Sequence, residues 1–318
     1  MTTNILIIGC RGQDGSYMTK SLIRQGFNVI GTSRFEKPEV TAHKKIGITQ
    51  SLKIKKLNLT HIKETANLIE KYAPSEIYNF SAQSSVGLSF TKPVETLNSI
   101  VDSTRTLLEA ARIIKFPGRI FFAGSSEIYG ETKTGIKIKD KQNPKNPYGL
   151  AKQQSLGLVD LYREVYGIKC ITGILFNHES PIRPTKFVTS KIINGAIKSL
   201  KDKNYKLHLG NGSIRRDWGW AEEYVDAMQL ILRAPLLKNQ IVCTGVSTSI
   251  KEFVEKSFSK LNLDYTKFVE FKKDLVRPME IQESFGDPFP IEKDLGWKAN
   301  TIIDEVIEKL LKAKLESI

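Results

Sequence analysis

The chain has 318 residues, of which 40% are hydrophobic and 26% charged. This length is sufficient for one large core or for two domains that share an interface. No apolar run approaches the roughly 18–20 residues of a membrane span, and the first ten residues carry no basic segment of a secretion signal. The three cysteines and four histidines have neither disulfide nor metal-ligand spacing. We therefore expect a cytoplasmic protein with no membrane partner and no metal site.

The formal net charge of +14 has two interpretations. It is typical of proteins that bind nucleic acid, and it also fits a lysine-rich surface around a site for anionic ligands. The lysines are scattered through segments such as KYAP, KIKD and KEFVEKSFSK and form no single stripe. This distribution favours the second interpretation, so we expect no nucleic-acid partner.

Strand and helix patterns alternate from the N-terminus to about residue 126. The apolar run NILIIG predicts a first strand, and SYMTKSLIRQG predicts the helix after it. FNVIGTS and LKIKKLNL predict the next two strands, the helix IKETANLIEKYA follows, and EIYNFSA predicts the fourth strand. A long helix from about Val94 to Ile114 then precedes the fifth strand, RIFFAGSS. This order predicts an α/β fold with a Rossmann-type, doubly wound parallel sheet.

The alternation becomes irregular from about residue 177, where proline and glycine are more frequent. We therefore predict two domains. Residues 1–176 would form the Rossmann-type domain. Residues 177–318 would mainly form a smaller C-terminal α/β domain over the carboxyl edge of the sheet, where ligands bind in such folds, with some chain returning to the first domain.

Three glycines, Gly9, Gly12 and Gly15, stand where the first strand passes into the first helix. Their G-x-x-G-x-x-G spacing makes the turn one residue longer than the usual dinucleotide fingerprint. A glycine turn at this place lets backbone N–H groups and the helix N-terminus meet a pyrophosphate, although three glycines in a loop can also serve only the turn. The position of the turn predicts a dinucleotide cofactor.

The end of the second strand selects between the two nicotinamide dinucleotides. NAD sites often place Asp or Glu there, whereas this chain has Ser33 and Arg34. A cation fits the 2′-phosphate of NADP, and Arg11 in the glycine turn supplies a second one. Arg34 could also be only solvated, and Glu36 nearby weakens the assignment. The pattern favours NADP over NAD.

The segment NPYGLAK places Tyr148 and Lys152 four residues apart, after a proline that suits a helix start. Both side chains then lie on one helix face, where the ammonium is expected to lower the pKa of the Tyr148 phenol. Such a tyrosine can take a hydroxyl proton while hydride leaves the same carbon. After a dinucleotide turn and five strands, this pair is typical of the catalytic site of extended short-chain dehydrogenase/reductases.

The fifth strand ends in AGSSEIYG, which adds Ser125 and Glu127 to the pair. We expect Ser125 to hydrogen-bond the substrate hydroxyl near Tyr148. Glu127 supplies a second acid/base, which a reductase or C4-epimerase does not need. A sugar 4,6-dehydratase does need it, because it removes a proton from C5 and expels the C6 hydroxyl. Glu127 could instead only cap or solvate its loop. The pattern favours a catalytic set of Ser125, Glu127, Tyr148 and Lys152.

Further segments resemble one family, the GDP-mannose 4,6-dehydratases. GCRGQDGSYM resembles the family's glycine turn, SSEIYG its serine–glutamate motif, and LFNHESPIR its Leu-Phe-Asn-His-Glu-Ser-Pro-Arg-Arg run. NFSAQSSVGLSF, GSIRRDWGWAEEYVDAM and VRPMEIQESFGDP with LGWK resemble other family motifs, in the family's order. The resemblance covers the chain from Gly9 to Trp297 and identifies it as a member of this family.

The resemblance implies a hydro-lyase of deoxysugar biosynthesis. It would convert GDP-mannose, or a related GDP-hexose or heptose, to the GDP-4-keto-6-deoxy sugar through an internal redox cycle on bound NADP. One alternative is a GDP-sugar C4-reductase or epimerase of the same fold, which Glu127 disfavours. The other is a non-catalytic NADP-binding or nucleic-acid-binding protein, which the intact Ser125, Tyr148 and Lys152 set disfavours.

The resemblance, together with the residues above, gives two sets of binding residues. The cofactor set comprises Gly9, Arg11, Gly12, Gln13, Asp14, Gly15, Arg34, Asn58, Leu59, Tyr148 and Lys152. The substrate set comprises Ser84, Ser125, Glu127, Asn177, Val188, Lys191, Gly210, Arg216, Arg277 and Glu280. Within the substrate set, Val188 and Lys191 would lie near the nucleotide base, and Arg277 would bind phosphate through its planar guanidinium.

Some positions depart from the family pattern. Ser125 keeps the hydroxyl of the family's threonine, Ser85 replaces a histidine, and Phe35 stands where a second arginine is usual. The region around residues 36–50 is compressed, and in family members this region helps the subunits of a tetramer share cofactor sites. We therefore expect a homodimer or a homotetramer, and a GDP-sugar substrate that need not be GDP-mannose.

Overall fold

The computed structural model describes residues 3–35, 41–48, 52–276 and 278–317. The strands in the first part of the chain are β1 (Asn4–Ile8), β2 (Asn28–Ser33), β3 (Lys53–Lys56), β4 (Glu76–Asn79), β5 (Arg119–Ala123) and β6 (Cys170–Leu175). The helices are α1 (Gln13–Arg24), α2 (Thr41–Lys45), α3 (Ile62–Tyr72), α4 (Val86–Thr91), α5 (Pro93–Leu97), α6 (Ser103–Ile113) and α7 (Pro147–Tyr166). A π-helical segment, Asn98–Asp102, joins α5 to α6, so the long helix predicted before the fifth strand contains one widened turn.

The later part of the chain has shorter strands and more irregular connections. Its strands are β7 (Asn177–Glu179), β8 (Leu207–Leu209), β9 (Arg215–Trp220), β10 (Gln240–Val242), β11 (Ser247–Ser249), β12 (Val269–Phe271) and β13 (Glu283–Ser284). Its helices are α8 (Val188–Lys201), α9 (Ala221–Arg233), α10 (Ile250–Ser259), α11 (Phe289–Leu295) and α12 (Ile303–Leu315).

Seven parallel strands form the main sheet, in the order β10–β6–β5–β4–β1–β2–β3. The chain progresses outward in one direction from β1 to β3 and in the other from β4 to β10, so the order reverses between β1 and β4. Ligands of such sheets bind at this reversal, beyond the carboxyl ends of the strands. The predicted Rossmann-type, doubly wound sheet is confirmed.

The side chains of the main sheet alternate between two apolar layers. Ile7 and Phe121 pack into the layer that includes α1 and α9, whereas Leu6 and Ile77 pack into the layer that includes α3 and α6. Because both faces of the sheet are covered, central strands such as β1 carry continuous apolar runs, and NILII is recognisable in the sequence for this reason, whereas the edge strand β3 is KIKK and mostly exposed. β10 lies in this sheet and α9 on it, although both follow residue 177, and the predicted domain boundary stays a prediction.

The short strands β7, β8, β9, β11, β12 and β13, with helices α8, α10 and α12, form a smaller lobe at the carboxyl edge of the main sheet. β7, β11 and β13 all pair with β9, and β8 pairs with β12. A third apolar cluster packs α8, α10 and α12 together through Ile193, Phe253 and Val306. In the described part of the chain, none of the helices combines the length and apolar character needed to cross a membrane.

A buried carboxylate attaches the smaller lobe to the main sheet. Asp217 in β9 accepts hydrogen bonds from the backbone N–H and the hydroxyl of Thr244, at 3.0 and 2.7 Å, and from the backbone N–H of Gly245 at 2.9 Å. Burial raises the pKa of Asp217 to about 6, against the lowering effect of these hydrogen bonds. Since Thr244 and Gly245 follow β10, Asp217 fixes the lobe next to the carboxyl ends of the main strands.

Candidate active site

The turn between β1 and α1 has the backbone shape of a phosphate cradle. Gly9 adopts a φ of +84°, and Gly12, the N-cap of α1, donates its N–H to the Gly9 carbonyl at 3.2 Å. A Cβ at Gly15 would collide with that same carbonyl oxygen, so only glycine lets α1 approach β1 this closely. The cradle fits a pyrophosphate at the N-terminus of α1, as the sequence predicts for a dinucleotide site.

The side chains of Gln13 and Asp14 connect this turn to the segment after β6. Gln13 Nε2 donates to the carbonyl of His178 at 3.0 Å, and Ser180 Oγ donates to Gln13 Oε1 at 2.7 Å. Asp14 Oδ1 lies 2.9 Å from His178 Nε2. The start of α1 is therefore held directly against the chain that leads into the smaller lobe.

The His178 ring contacts two oxygen atoms. Its Nδ1 lies 2.8 Å from the carbonyl oxygen of Phe176, and its Nε2 faces Asp14. Burial alone would raise the pKa of Asp14, but its contact with His178, with the Arg183 charge, lowers it to about 2. Asp14 is therefore an ionised carboxylate held against the His178 ring.

The first turn of α7 carries the predicted catalytic pair. Asn146 is the N-cap and accepts the N–H of Gly149 at 2.8 Å, and Pro147 occupies the first helical position. Lys152 Nζ lies 5.7 Å from the ring centroid of Tyr148 and donates to the Ala123 carbonyl at the end of β5, at 2.7 Å. The helix thus brings both side chains to the carboxyl edge of the sheet.

The pKa shift expected for Tyr148 is wrong in direction. Burial raises the pKa of Tyr148 to about 12, against the lowering effect of a hydrogen bond with Ser125, and the Glu127 charge raises it further. Burial likewise lowers the pKa of Lys152 to about 8, against the opposite effect of the Asp14 charge. The sequence pattern does not record that both groups are removed from water, and burial is the largest cause of both shifts.

Glu127 lies in the short 3₁₀ turn Ser126–Ile128 that follows β5. Ser125 caps this turn by accepting the Glu127 backbone N–H at 3.3 Å. The Glu127 carboxylate accepts a hydrogen bond from Asn146 Nδ2 at 2.7 Å, and a Cβ at Gly149 would lie 2.5 Å from the Glu127 carbonyl oxygen. The loop is thus packed tightly against α7, and Ser125, Glu127, Tyr148 and Lys152 lie together.

These four residues line one wall of a cavity of about 280 Å³ between the main sheet and the smaller lobe. The other predicted substrate residues that line it are Ser84, Asn177, Val188, Gly210, Arg216 and Glu280. Asp14 also lines the cavity, which therefore extends from the glycine turn to the smaller lobe. Because residues of both parts line it, the cavity suits a ligand that touches both the main sheet and the smaller lobe.

Some predicted residues lie elsewhere. Lys191 is exposed, and its Nζ donates to the carbonyl of His208 at 2.7 Å instead of lining the cavity. Leu59 is buried in the apolar layer beneath the sheet, and Asn58 is exposed beside it. Arg277 lies outside the described residues, as does Glu36. The binding roles assigned to the two sets stay predictions.

Two arginines converge on one aromatic ring at the carboxyl end of β2. The guanidinium carbon of Arg34 lies 5.1 Å, and that of Arg11 5.5 Å, from the ring centroid of Phe35. Phe35, which replaces a usual arginine of the family, thus serves as a platform for two cations. This arrangement gathers positive charge beside the glycine turn.

Sequence reasoning missed several residues of the site. The segment LFNHESPIR contains His178, Glu179 and Arg183, but the sequence motifs predicted only Asn177 of this segment as a site residue. Glu179 is buried, accepts the Thr189 hydroxyl at 2.8 Å and lies 3.5 Å from Arg183 Nε. These residues follow Asn177 within one short motif, and this clustering of polar side chains is the signal in the sequence that could have identified them.

Comparison with known sequences gives one family. The family described as GDP-mannose 4,6 dehydratase matches residues 6–310. The chain is 33% identical over 327 residues to GDP-mannose 4,6 dehydratase 1 of Arabidopsis thaliana, with 98% of this chain and 89% of that protein covered. It is 32% identical over 345 residues to the GDP-mannose 4,6 dehydratase of Homo sapiens, with 98% and 91% covered.

Comparison with solved structures supports the fold. A UDP-glucose 4-epimerase of Thermus thermophilus in complex with NAD superposes with a TM-score of 0.87 at 19% identity, covering 99% of this chain and 100% of that one. A dTDP-glucose 4,6-dehydratase of Streptomyces venezuelae with NAD bound gives 0.88 at 18% identity, covering 99% and 97%. At these identities the likeness shows a shared Rossmann-type architecture.

We expect Lys152→Met to stabilise the protein at pH 7 by about 1–2 kcal/mol. Burial lowers the pKa of Lys152 from 10.5 to about 8, so the folded protein holds this proton less tightly than the unfolded chain does. The charged lysine therefore opposes folding below pH 8, and the penalty is relieved as the pH rises from 8 towards 10.5. The difference in the free energy of unfolding between Lys152→Met and the native protein should therefore shrink above pH 8, by up to about 1.4 kcal/mol per pH unit.

Denaturant unfolding at pH 7, 8.5 and 9.5 measures this difference. Lys191→Met is the matched control, because the ammonium of Lys191 is exposed and its removal should give a nearly constant effect across the same pH range. A Lys152→Met variant that is less stable than the native protein at pH 7 would contradict the prediction.

Proposed function

Because the chain belongs to the GDP-mannose 4,6-dehydratase family, we propose that it removes water from a GDP-hexose, with GDP-mannose as the first candidate. A related GDP-hexose or GDP-heptose is compatible with the departures near the sugar. The product would be the GDP-4-keto-6-deoxy sugar. The observation that carries the proposal is the position of Glu127, which shares one cavity with Ser125, Tyr148 and Lys152.

We propose that the cofactor is NADP, bound from the glycine turn to the cavity. The Gly9–Gly15 cradle fits the pyrophosphate, and Arg11 and Arg34 at Phe35 provide the positive charge that a 2′-phosphate requires. The nicotinamide ring, when bound, supplies the oxidant for the C4 alcohol and the reductant for the product of elimination. Asp14 and His178 lie where the cradle meets the cavity and would orient this end of the site.

The chain's own groups divide the proton transfers among them. Tyr148, hydrogen-bonded with Ser125, would act as the phenolate, which the ammonium of Lys152 stabilises, and would become a neutral phenol when it takes the proton of the C4 hydroxyl. The resulting C4 ketone makes the C5 hydrogen acidic. Glu127 takes that proton and returns it to the C6 hydroxyl, which leaves as water. A C4-reductase or epimerase would not use a carboxylate at this position.

We further propose that the two parts of the chain bind different halves of the ligands. Residues 1–176 carry the cofactor cradle and the Ser125, Glu127, Tyr148 and Lys152 set, whereas residues 177–318 mainly hold the nucleotide of the substrate. Val188, Gly210 and Arg216 support this division, because they line the side of the cavity formed by the smaller lobe.

The NADP proposal predicts a selective effect of Arg34→Ala. The substitution removes a cation beside Phe35 and should weaken NADP binding by about 1–3 kcal/mol, the strength of a charge-assisted hydrogen bond. NAD lacks the 2′-phosphate, so its affinity should change little and serves as the internal control. Isothermal titration with both dinucleotides makes the measurement, and equal affinity of the native protein for NAD and NADP would contradict the assignment.

We propose a homo-oligomer, a dimer or a tetramer, that associates through α7. Leu150, Leu161 and Val165 are 40, 47 and 62% exposed on this helix, more apolar surface than a monomeric helix usually leaves in water. Light scattering should give a mass of two or four chains at micromolar concentration, and Leu161→Glu should lower it. A native protein that remains monomeric would refute this proposal.

The decisive test of the dehydratase reaction is Glu127→Gln. Glutamine keeps the shape and the hydrogen bond but cannot accept the C5 proton, so product formation should fall by about 10²–10⁴-fold. Mass detection of the GDP-4-keto-6-deoxy sugar measures the rate, and GDP-mannose affinity should stay within a few-fold of the native value. Tyr148→Phe is the comparison variant that blocks the earlier C4 oxidation. If Glu127→Gln turns over at nearly the native rate, Glu127 is only a loop residue and the mechanism fails.

A further inference from the structure

We infer that Asn146 is a positioning residue that fixes the orientation of the Glu127 carboxylate. Asn146 stands just before the Tyr148 and Lys152 helix, and its side chain is 9% exposed. It makes two hydrogen bonds, one to the backbone of α7 and one to Glu127. This inference rests on the catalytic role proposed above for Glu127.

The two hydrogen bonds determine which way the Asn146 amide points. The backbone N–H of Gly149 can only donate, so the atom 2.8 Å away from it must be the amide oxygen. The amide NH₂ group consequently faces Glu127 Oε2 at 2.7 Å. An asparagine fixed by a helix N-terminus is therefore a permanent donor to the carboxylate.

This donor leaves the two carboxylate oxygens of Glu127 with different roles. With Oε2 occupied by the amide, Oε1 is the oxygen that receives the C5 proton. The C5–H electron pair then forms the C5–C6 double bond as the C6–O bond breaks. Because an amide cannot accept a proton at neutral pH, the proton stays on Oε1 and passes to the departing hydroxyl, which leaves as water. Asn146 thus keeps one oxygen directed at the substrate through both proton transfers.

The same turn of α7 holds the backbone of Glu127. A Cβ at Gly149 would lie 2.5 Å from the Glu127 carbonyl oxygen, so the loop and the helix touch without a side chain between them. The Glu127 loop is therefore positioned relative to Tyr148 by two contacts with one helical turn, and Asn146 supplies the one that reaches the carboxylate.

Asn146→Asp separates the positioning role from the role as a helix cap. Aspartate has nearly the same shape, is a good N-cap and is favoured by the helix dipole, so the melting temperature should stay close to the native value. Its second oxygen, however, places a carboxylate against Glu127 in place of a donor. We expect kcat to fall by up to about 10²-fold, with KM within a few-fold, because the general base is displaced and its ionised form is disfavoured.

The pH profile distinguishes this effect from a structural one. In Asn146→Asp, the low-pH limb of the kcat profile, which reports Glu127 as the general base, should move to higher pH. Ser249→Ala, which removes the N-cap of α10 in the smaller lobe, is the matched control. It should lower the melting temperature and leave the pH profile in place.

A second measurement does not depend on turnover. Carbon-13 NMR of labelled glutamate side chains, with Glu127→Gln to assign the resonance, should show Glu127 titrating at higher pH in Asn146→Asp than in the native protein. An unchanged titration and an unchanged kcat profile would make Asn146 only a helix cap and overturn the inference. A native protein that dehydrates no GDP-sugar would instead refute the proposed function, and the NMR titration would still decide the placement of Asn146.

Discussion

The contact between the Asp14 carboxylate and the His178 ring connects the two halves of this molecule. Asp14 belongs to the first turn of α1 and His178 to the strand that leads into the smaller lobe, 164 residues later. Both side chains are largely shielded from water. Removing one partner would leave a buried polar group without its hydrogen bond, which typically costs about 1–3 kcal/mol.

Several features of the site depend on this pair. The His178 ring stacks on Tyr224 of α9 with centroids 4.5 Å apart, and Tyr224 packs edge-on against Trp297. The Asp14 charge favours the ammonium of Lys152 and disfavours the phenolate of Tyr148. This contact therefore links the glycine turn, helix α9 on the main sheet and the electrostatics of the proposed catalytic residues.

The proposed catalytic residues occupy positions where burial disfavours their charged forms. A lysine with a pKa lowered to about 8 and a tyrosine with a pKa raised to about 12 both show the cost of burial. A charged ligand in the cavity would interact with them in a medium of low dielectric constant, where electrostatic contacts are strong.

The sequence by itself determined the alternation of strands and helices, the glycine turn and the order of the family motifs. These features are local, because apolar period, glycine conformation and cap residues are properties of a few neighbouring positions. Pro147 begins α7 where the sequence predicts, and Gly15 allows the close approach of α1 to β1. Only the tertiary structure decided which pKa values are shifted by burial and which side chains meet. The predicted pKa shift of Tyr148 had the wrong direction because burial, which no local pattern records, raises the pKa of the phenol. Asn146 reaches Glu127 across 19 residues of sequence. Such pairings depend on how distant segments pack, and the free energies of burial and long-range charge contacts exist only once the chain has folded.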